Sequence, residues 1–137
     1  MSVLTLPLWW QQLLLVMGGG ALGAAGRHWM SGYLLRRIGD GIPWGTLAVN
    51  LIGSFAVGFL AIWLEGRGPS ALYWRAFLIV GLLGGLTTYS SLMLESLIYV
   101  RTDRSGLLLG YLAVTLVGGL VLVWLGSRLA VQLRPVW

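Results

Sequence analysis

Four long apolar runs alternate with short polar connections along the chain of 137 residues. A helix needs about 20 predominantly apolar residues to cross the hydrocarbon core of a bilayer. Each run reaches that length, and tryptophans lie at or near the run ends, where their amphipathic rings anchor at the water interface. The connections are too short to hold a soluble domain. The pattern therefore predicts an all-α membrane protein with one four-span domain over residues 1–137, its spans at residues 9–29, 44–64, 75–100 and 106–128.

The composition agrees with a membrane protein. Hydrophobic residues make up 58% of the chain and charged residues only 9%, whereas a soluble domain carries about 25% charged residues. Most of the 21 glycines fall inside the apolar runs rather than between them, which favours close contact between helices. Because the sequence has no cysteine, a disulfide framework and a thiolate metal site are both excluded.

The basic residues are all arginines, and the net charge is +5. They lie near the ends of the apolar runs and form no continuous stripe, so they indicate contact with membrane lipid rather than with nucleic acid. Arginine counts in short loops orient a membrane protein, but here the two sides of the membrane receive four each, and Arg27, near the end of the first run, would tip the balance only slightly. This balance predicts insertion in both orientations and an antiparallel dimer. The two sets are Arg67, Arg75, Arg128 and Arg134 on one side, and Arg36, Arg37, Arg101 and Arg104 on the other.

The third run contains a polar interruption at residues 81–95, GLLGGLTTYSSLMLE. A helix break at membrane depth is tolerated only where protein covers it or where it lines a polar path. Gly84 and Gly85 make such a break inexpensive. The break would turn the carbonyls around Gly84 and Thr87 inward, and two copies related by a two-fold axis would form a ring of oxygens. Such a ring suits a hard monovalent cation.

The residues that follow the predicted break suit an anion instead. Tyr89 offers the positive edge of an aromatic ring, and Ser90 and Ser91 offer hydroxyl donors. Glu95 lies one turn further on, and two readings of it stay open. An intramembrane carboxylate is by default functional, but this one lies close enough to the end of the run to be paired with an arginine or a hydroxyl.

Polar residues in the other runs also leave alternatives open. Asn50 shares a helix face with Ser54, and its amide either makes an interhelical hydrogen bond or lines a pore. Arg27 either extends to the lipid headgroups or turns toward a vestibule, where it would concentrate anions. Tyr111 and Thr115 are four residues apart and are either core contacts or part of a polar track with the third run.

Three stretches together resemble one known family: GGGALGAAGRHW in the first run, GTLAVNLIGSFAVGF in the second and GLLGGLTTYSSL in the third. In this order and at this chain length they resemble the small bacterial fluoride channels, the Fluc or CrcB-type family. The resemblance implies a passive channel, not an enzyme, in the bacterial cytoplasmic (inner) membrane. It would export cytoplasmic fluoride through two pores at the interface of a dual-topology, antiparallel homodimer.

The resemblance also implies roles for individual residues. A structural sodium ion, which is not transported, would lie on the dimer axis and be bound by the backbone carbonyls of Gly84 and Thr87. Asn50 would match the pore asparagine of the family, and Arg27 its vestibule arginine. The residues expected along the fluoride path are Asn50, Tyr89, Ser90, Ser91, Thr115, Tyr111 and Leu92.

One motif departs from the family pattern. Where the family reads TTFSxF, this chain reads TTYSSL. Tyr89 keeps a ring at the first aromatic position, whereas Leu92 has none at the second. A leucine has no polarised edge to offer fluoride, so either this position is dispensable or a paralogue supplies the ring in a heterodimer.

Two other functions compete with the channel. A proton-coupled exporter of the small multidrug type also has four spans and can insert both ways, but it needs a carboxylate deep in the first span. The only candidate here, Glu95, lies in the third. A non-transporting membrane scaffold would explain the glycine-rich helix faces, but it would not explain a broken third span flanked by hydroxyls.

Overall fold

The computed structural model describes residues 9–134, and every regular element in that range is a helix. The third span is built from several pieces because its helix changes pitch and then breaks. In chain order the elements are α1 (Trp9–Ile38), α2 (Trp44–Trp63), α3 (Ser70–Trp74), a π-helical segment (Arg75–Leu83), α4 (Gly84–Leu86), α5 (Tyr89–Arg101) and α6 (Ser105–Leu133).

Three stretches are long and apolar enough to cross a membrane: Trp44–Trp63, Ser70–Arg101 and Ser105–Leu133. The all-helical prediction is therefore confirmed, and the chain is a multi-pass membrane protein. With 30 residues, α1 is about 45 Å long by helix rise, but it is not among these three stretches. Its glycines, Arg27 and His28 dilute its apolar character, so the fourth span stays a prediction.

Glycines bring α1 into backbone contact with the third span. A Cβ atom on Gly23 would collide with the carbonyl oxygen of Leu82. From the facing side, a Cβ atom on Gly85 would lie only 2.5 Å from the carbonyl oxygen of Gly20. These glycines therefore set the distance between the two helices, as small residues do at membrane interfaces.

A second glycine contact joins α2 to α6. Gly58 of α2 faces the carbonyl of Val123, and Gly126 of α6 faces the carbonyl of Phe55, so closely that a Cβ atom on either glycine would overlap the partner backbone. The helix α2 also contacts α1 and the third span. It thus lies between the other helices and presents its polar face to the break.

The predicted interruption of the third span is present, but it falls at Thr87 and Thr88. Gly84 is still helical, with φ −62° and ψ −36°, whereas Thr87 (φ −79°, ψ 156°) and Thr88 (φ −151°, ψ 122°) are extended. Two β-branched residues in succession favour the extended conformation. The expectation that the glycine pair itself forms the break is corrected here, since Gly85 serves the close approach to α1.

Beyond the break, α5 has few neighbours within the chain. It contacts α6 through one face, where Leu92 and Tyr99 are buried. Its other faces carry large side chains that are exposed in the single chain, among them Tyr89, Leu94 and Ile98. The half of the third span that follows the break is therefore only partly covered by its own chain.

Candidate functional site

Asn50 bonds the broken backbone of the third span. Its Oδ1 accepts a hydrogen bond from the Thr88 N–H at 2.8 Å, and its Nδ2 donates to the Thr88 carbonyl at 3.0 Å. Thr88 is only 8% exposed, so Asn50 Oδ1 replaces the helical acceptor that the Thr88 N–H loses at the break, and Nδ2 adds a donor to the Thr88 carbonyl. Of the two readings of Asn50, the interhelical bond is present. Within residues 9–134 its second amide N–H has no partner, which leaves one donor for a pore.

Hydroxyl groups gather at the start of α5. The Thr88 hydroxyl accepts a hydrogen bond from the Ser91 N–H at 3.2 Å and donates to Ser91 Oγ at 3.2 Å. Ser90 Oγ lies 3.3 Å from the same hydroxyl. Thr88 is therefore the N-cap of α5, and Ser90 and Ser91 lie at the positive end of this helix, which favours a nearby anion.

On the other side of the break, backbone carbonyls are left without helical donors. The Thr87 N–H and the Thr87 hydroxyl both donate to the Leu83 carbonyl, each at 2.9 Å. The carbonyls of the next residues, from Gly84 onward, have no helical N–H to accept because the chain is extended after Leu86. Carbonyl oxygens are suitable ligands for a hard cation. Residues 9–134 contain no cluster of three or more His, Asp or Glu side chains that would hold a metal.

Glu95 accepts hydrogen bonds from two neighbouring helices. The Thr46 hydroxyl of α2 donates to Oε1 at 2.6 Å, and the Tyr111 hydroxyl of α6 donates to Oε2 at 2.6 Å. We call these three residues the Glu95 cluster. The carboxylate is therefore paired with hydroxyls and not with an arginine. Sequence reasoning missed Thr46, although it lies one turn before Asn50 on the same helix face.

Leu92 and the predicted α6 residues lie in the interior of the chain. Leu92 is 4% exposed and packs with Tyr99 and Tyr111, whose rings meet edge to face with centroids 6.0 Å apart. The Thr115 hydroxyl donates to the Tyr111 carbonyl at 2.8 Å. Leu92, which has no ring of its own, thus touches the rings of two tyrosines. The Thr115 hydroxyl proton is already bonded within α6.

Two cavities have polar walls that a hydrogen bond joins: Ser91 lines the first, Asn50 and Thr88 line the second, and the Thr88 hydroxyl donates to Ser91 Oγ. The first, of about 540 Å³, lies near the connection between α1 and α2 and is lined in part by Thr46, Ser91, Glu95 and Arg104. The second, of about 340 Å³, is lined in part by Asn50, Ser54, Thr87, Tyr89 and Leu92. The polar residues of α2 and α5 thus form a strip that runs from the wall of one cavity to the wall of the other.

The remaining predicted residues lie nearer the surface of the single chain. Tyr89 is 74% exposed, and Ser90 is exposed as well. Arg27 is half-buried on α1, one residue beyond Gly26, where an added Cβ atom would touch the Leu86 side chain. Arg27 thus lies close to the depth of the break. The one ion pair within residues 9–134 joins Glu65, which follows α2, to Arg134, which follows α6, and so does not involve Arg27.

Comparison with known proteins decides the family. The sequence profile of the family described as CrcB-like protein, Camphor Resistance (CrcB), matches residues 14–127. The chain belongs to this CrcB-like family. The family predicted from the three sequence stretches is therefore confirmed.

The CrcB-like chain is also similar to individual relatives over most of its length. It is 59% identical over 122 residues to the fluoride-specific ion channel FluC of Xanthomonas euvesicatoria pv. vesicatoria, an alignment that covers 89% of this chain and 92% of the relative. It is 60% identical over 121 residues to the protein of the same name from Xylella fastidiosa, with 88% and 85% covered. A more distant relative of that name, from Opitutus terrae, is 44% identical over 118 residues, with 85% and 89% covered.

Proposed function

We propose that this CrcB-like chain is a passive, fluoride-selective ion channel in the bacterial inner membrane. Relatives 59% and 60% identical over nearly the whole chain bear that activity in their names. The observation that carries the proposal is the break at Thr87 and Thr88, which Asn50 bonds, which lines the second cavity, and which is hydrogen-bonded to Ser91 on the wall of the first. Fluoride that enters the cell as neutral hydrofluoric acid and ionises in the cytoplasm leaves by this route, down its own gradient.

Hydrogen-bond donors along the strip replace the water that fluoride loses. From the first cavity the anion meets the Ser91 hydroxyl and then the free amide N–H of Asn50. Ser90 and the ring edge of Tyr89 lie next to these groups and supply further positive charge. No arginine or lysine lines this central strip, so an ion is held by dipoles alone and is able to leave as well as enter.

The Glu95 cluster adds donors that rotate. A carboxylate repels an anion, but both oxygens of Glu95 accept hydrogen bonds from hydroxyls on neighbouring helices, one from Thr46 and one from Tyr111. A hydroxyl group turns about one bond, so each donor is able to swing from the carboxylate to a passing fluoride ion. Thr115 takes part only when its hydroxyl leaves the Tyr111 carbonyl.

A second copy of the chain completes the site. The break leaves carbonyl groups without donors at membrane depth, and lipid offers no substitute for them. The exposed side chains of α5, among them Tyr89 and Leu94, need a protein or lipid neighbour. The equal arginine counts of the two sides support an antiparallel arrangement, which places both breaks on one two-fold axis. The partner is a second identical chain or, alternatively, a paralogue that supplies a ring opposite Leu92.

The same axis provides a site for a structural sodium ion. The carbonyls of Gly84 and Thr87 from two copies surround the axis with oxygen atoms, the ligand type that a hard monovalent cation prefers. Replacing sodium by N-methylglucamine on both sides of a reconstituted membrane should lower the fluoride flux and weaken the dimer. Equal flux and equal dimer stability in the two solutions would remove sodium from the proposal.

Efflux from liposomes tests the activity. Purified protein is reconstituted into liposomes loaded with potassium fluoride, with sodium present on both sides, and valinomycin is added so that potassium leaves with the anion while an electrode records fluoride. We expect rapid fluoride efflux, little efflux from matched chloride-loaded liposomes, and none from protein-free liposomes. Flux that requires a proton gradient and an organic cation would favour the exporter, and the absence of any flux would favour the scaffold.

A further inference from the structure

A third cavity lies at the opposite end of α2 from the first. It has a volume of about 750 Å³ and lies between the C-terminal end of α2 and the beginning of the third span. That volume is within the range of roughly 300–1,000 Å³ typical of ligand pockets. None of the residues placed on the fluoride path lines it.

The walls of this cavity change from apolar to polar toward its mouth. Phe59 and Trp63 stack with ring centroids 5.5 Å apart, and Leu78 faces them from the π-helical segment. Arg67 and Ser70 form the mouth, and both are exposed. Phe59 and Trp63 are four residues apart, so the apolar wall reaches at least about 6 Å along the helix axis into the membrane.

The guanidinium at the mouth is held in place and keeps donors free. Arg67 Nε donates to the Trp63 carbonyl at 2.8 Å, and its guanidinium carbon lies 4.4 Å from the centroid of the Trp63 ring. The remaining N–H groups of the guanidinium are able to form bidentate bonds to a phosphate group. Glu65, the acidic residue nearest in sequence, pairs with Arg134 at 3.7 Å and so leaves the charge of Arg67 uncompensated.

We propose that this cavity binds an anionic phospholipid, with the headgroup phosphate at Arg67 and an acyl chain along Phe59, Trp63 and Leu78. The gradient from a cationic mouth to an aromatic and aliphatic interior matches the two parts of such a lipid. A small water-soluble anion would fill only the mouth and leave the apolar wall without a partner. The site is independent of the fluoride path and stands whether or not the chain conducts.

Native mass spectrometry of the full-length protein tests the headgroup contact. The protein is titrated with phosphatidylglycerol and, separately, with the zwitterionic phosphatidylcholine. A matched control exists in Arg128, whose guanidinium lies 5.7 Å from the Trp124 ring outside the cavity. We expect wild type and Arg128→Gln to retain phosphatidylglycerol preferentially, and Arg67→Gln to bind it about fivefold more weakly, the effect of one basic side chain at an anionic surface. Equal retention by the two variants, or no preference for the anionic lipid, would overturn the proposal.

A second measurement tests the acyl-chain contact. Because the chain has no cysteine, Leu78→Cys introduces one unique position for a spin label on the cavity wall. A label in contact with lipid relaxes quickly in the presence of oxygen, which dissolves in the bilayer. We expect fast relaxation by oxygen at this position in the reconstituted protein, whereas shielding from oxygen, as when a second copy covers the cavity, would overturn the lipid site.

Discussion

The double hydrogen bond between Asn50 and Thr88 makes the most specific prediction about the break. Asn50→Ala removes both bonds, at 2.8 and 3.0 Å, and leaves the N–H of a buried residue without a partner, whereas the Thr88 carbonyl, as the N-cap carbonyl of α5, keeps its helical bond. Leaving a buried group unsatisfied costs about 1–3 kcal/mol, and side-chain hydrogen bonds in membrane proteins average about 0.6 kcal/mol. Two lost bonds therefore cost at least about 1 kcal/mol. We expect about 2 kcal/mol, because the Thr88 N–H has no helical acceptor to return to.

Unfolding of the purified protein by dodecyl sulfate in mixed micelles, followed by circular dichroism, measures this loss. Ser54→Ala is the matched control, because Ser54 donates at 2.7 Å to the Asn50 carbonyl, which lies within a continuous helix. We expect its stability to change by less than about 0.5 kcal/mol. Asn50→Asp should be more harmful than Asn50→Ala, because a carboxylate oxygen would replace the donor that faces the Thr88 carbonyl.

Efflux measurements on the same variants separate two roles of Asn50. If the amide serves only as a pore donor, Asn50→Ala lowers the fluoride flux and leaves the unfolding transition unchanged. Wild-type stability in Asn50→Ala would therefore refute the reasoning about the break. Loss of flux together with lower stability would support it.

Three further substitutions test other parts of the account. Tyr111→Phe removes one of the two donors to Glu95, and we expect fluoride efflux from liposomes to fall by roughly ten- to a hundredfold, the equivalent of one hydrogen bond to a charged group; unchanged efflux would exclude the hydroxyl from the path. Gly23→Ala should destabilise the protein by about 1–3 kcal/mol through overpacking, whereas Gly18→Ala, with no atom within 4 Å, should leave the stability unchanged or raise it by up to about 1 kcal/mol. Asp103 has φ 55°, so Asp103→Gly should raise the stability by up to about 1 kcal/mol, and a lower stability would contradict this.

Local patterns along the chain predicted the helices, the interrupted third span and the family. Each of these depends on neighbouring residues: apolar runs of span length, or polar and small residues inside one run. The break lies three residues beyond its predicted position at Gly84 and Gly85. A glycine such as Gly85 serves either a helix break or a close helix contact, and its sequence context does not distinguish the two. Only the contact with Gly20 of α1 shows that Gly85 serves helix packing rather than the break.

Contacts between distant residues were beyond sequence reasoning. Glu95 lies 49 positions from Thr46 and 16 from Tyr111, and nothing in the spacing predicts that three helices meet there. The burial of Leu92 between two tyrosines is equally non-local. The first span is harder to recognise by its hydropathy than the other three. The glycines that give α1 its packing surface, together with Arg27, reduce its apolar character.

The reversal potential of the current in a planar bilayer tests the central claim most directly. The protein is incorporated into a membrane with a tenfold gradient of fluoride and equal chloride on both sides. Because the account assigns conduction to a path that accepts fluoride alone, the current should reverse near the fluoride equilibrium potential, about 59 mV from zero. Reversal near zero, where chloride is balanced, would contradict fluoride selectivity, and the absence of any current would contradict the channel.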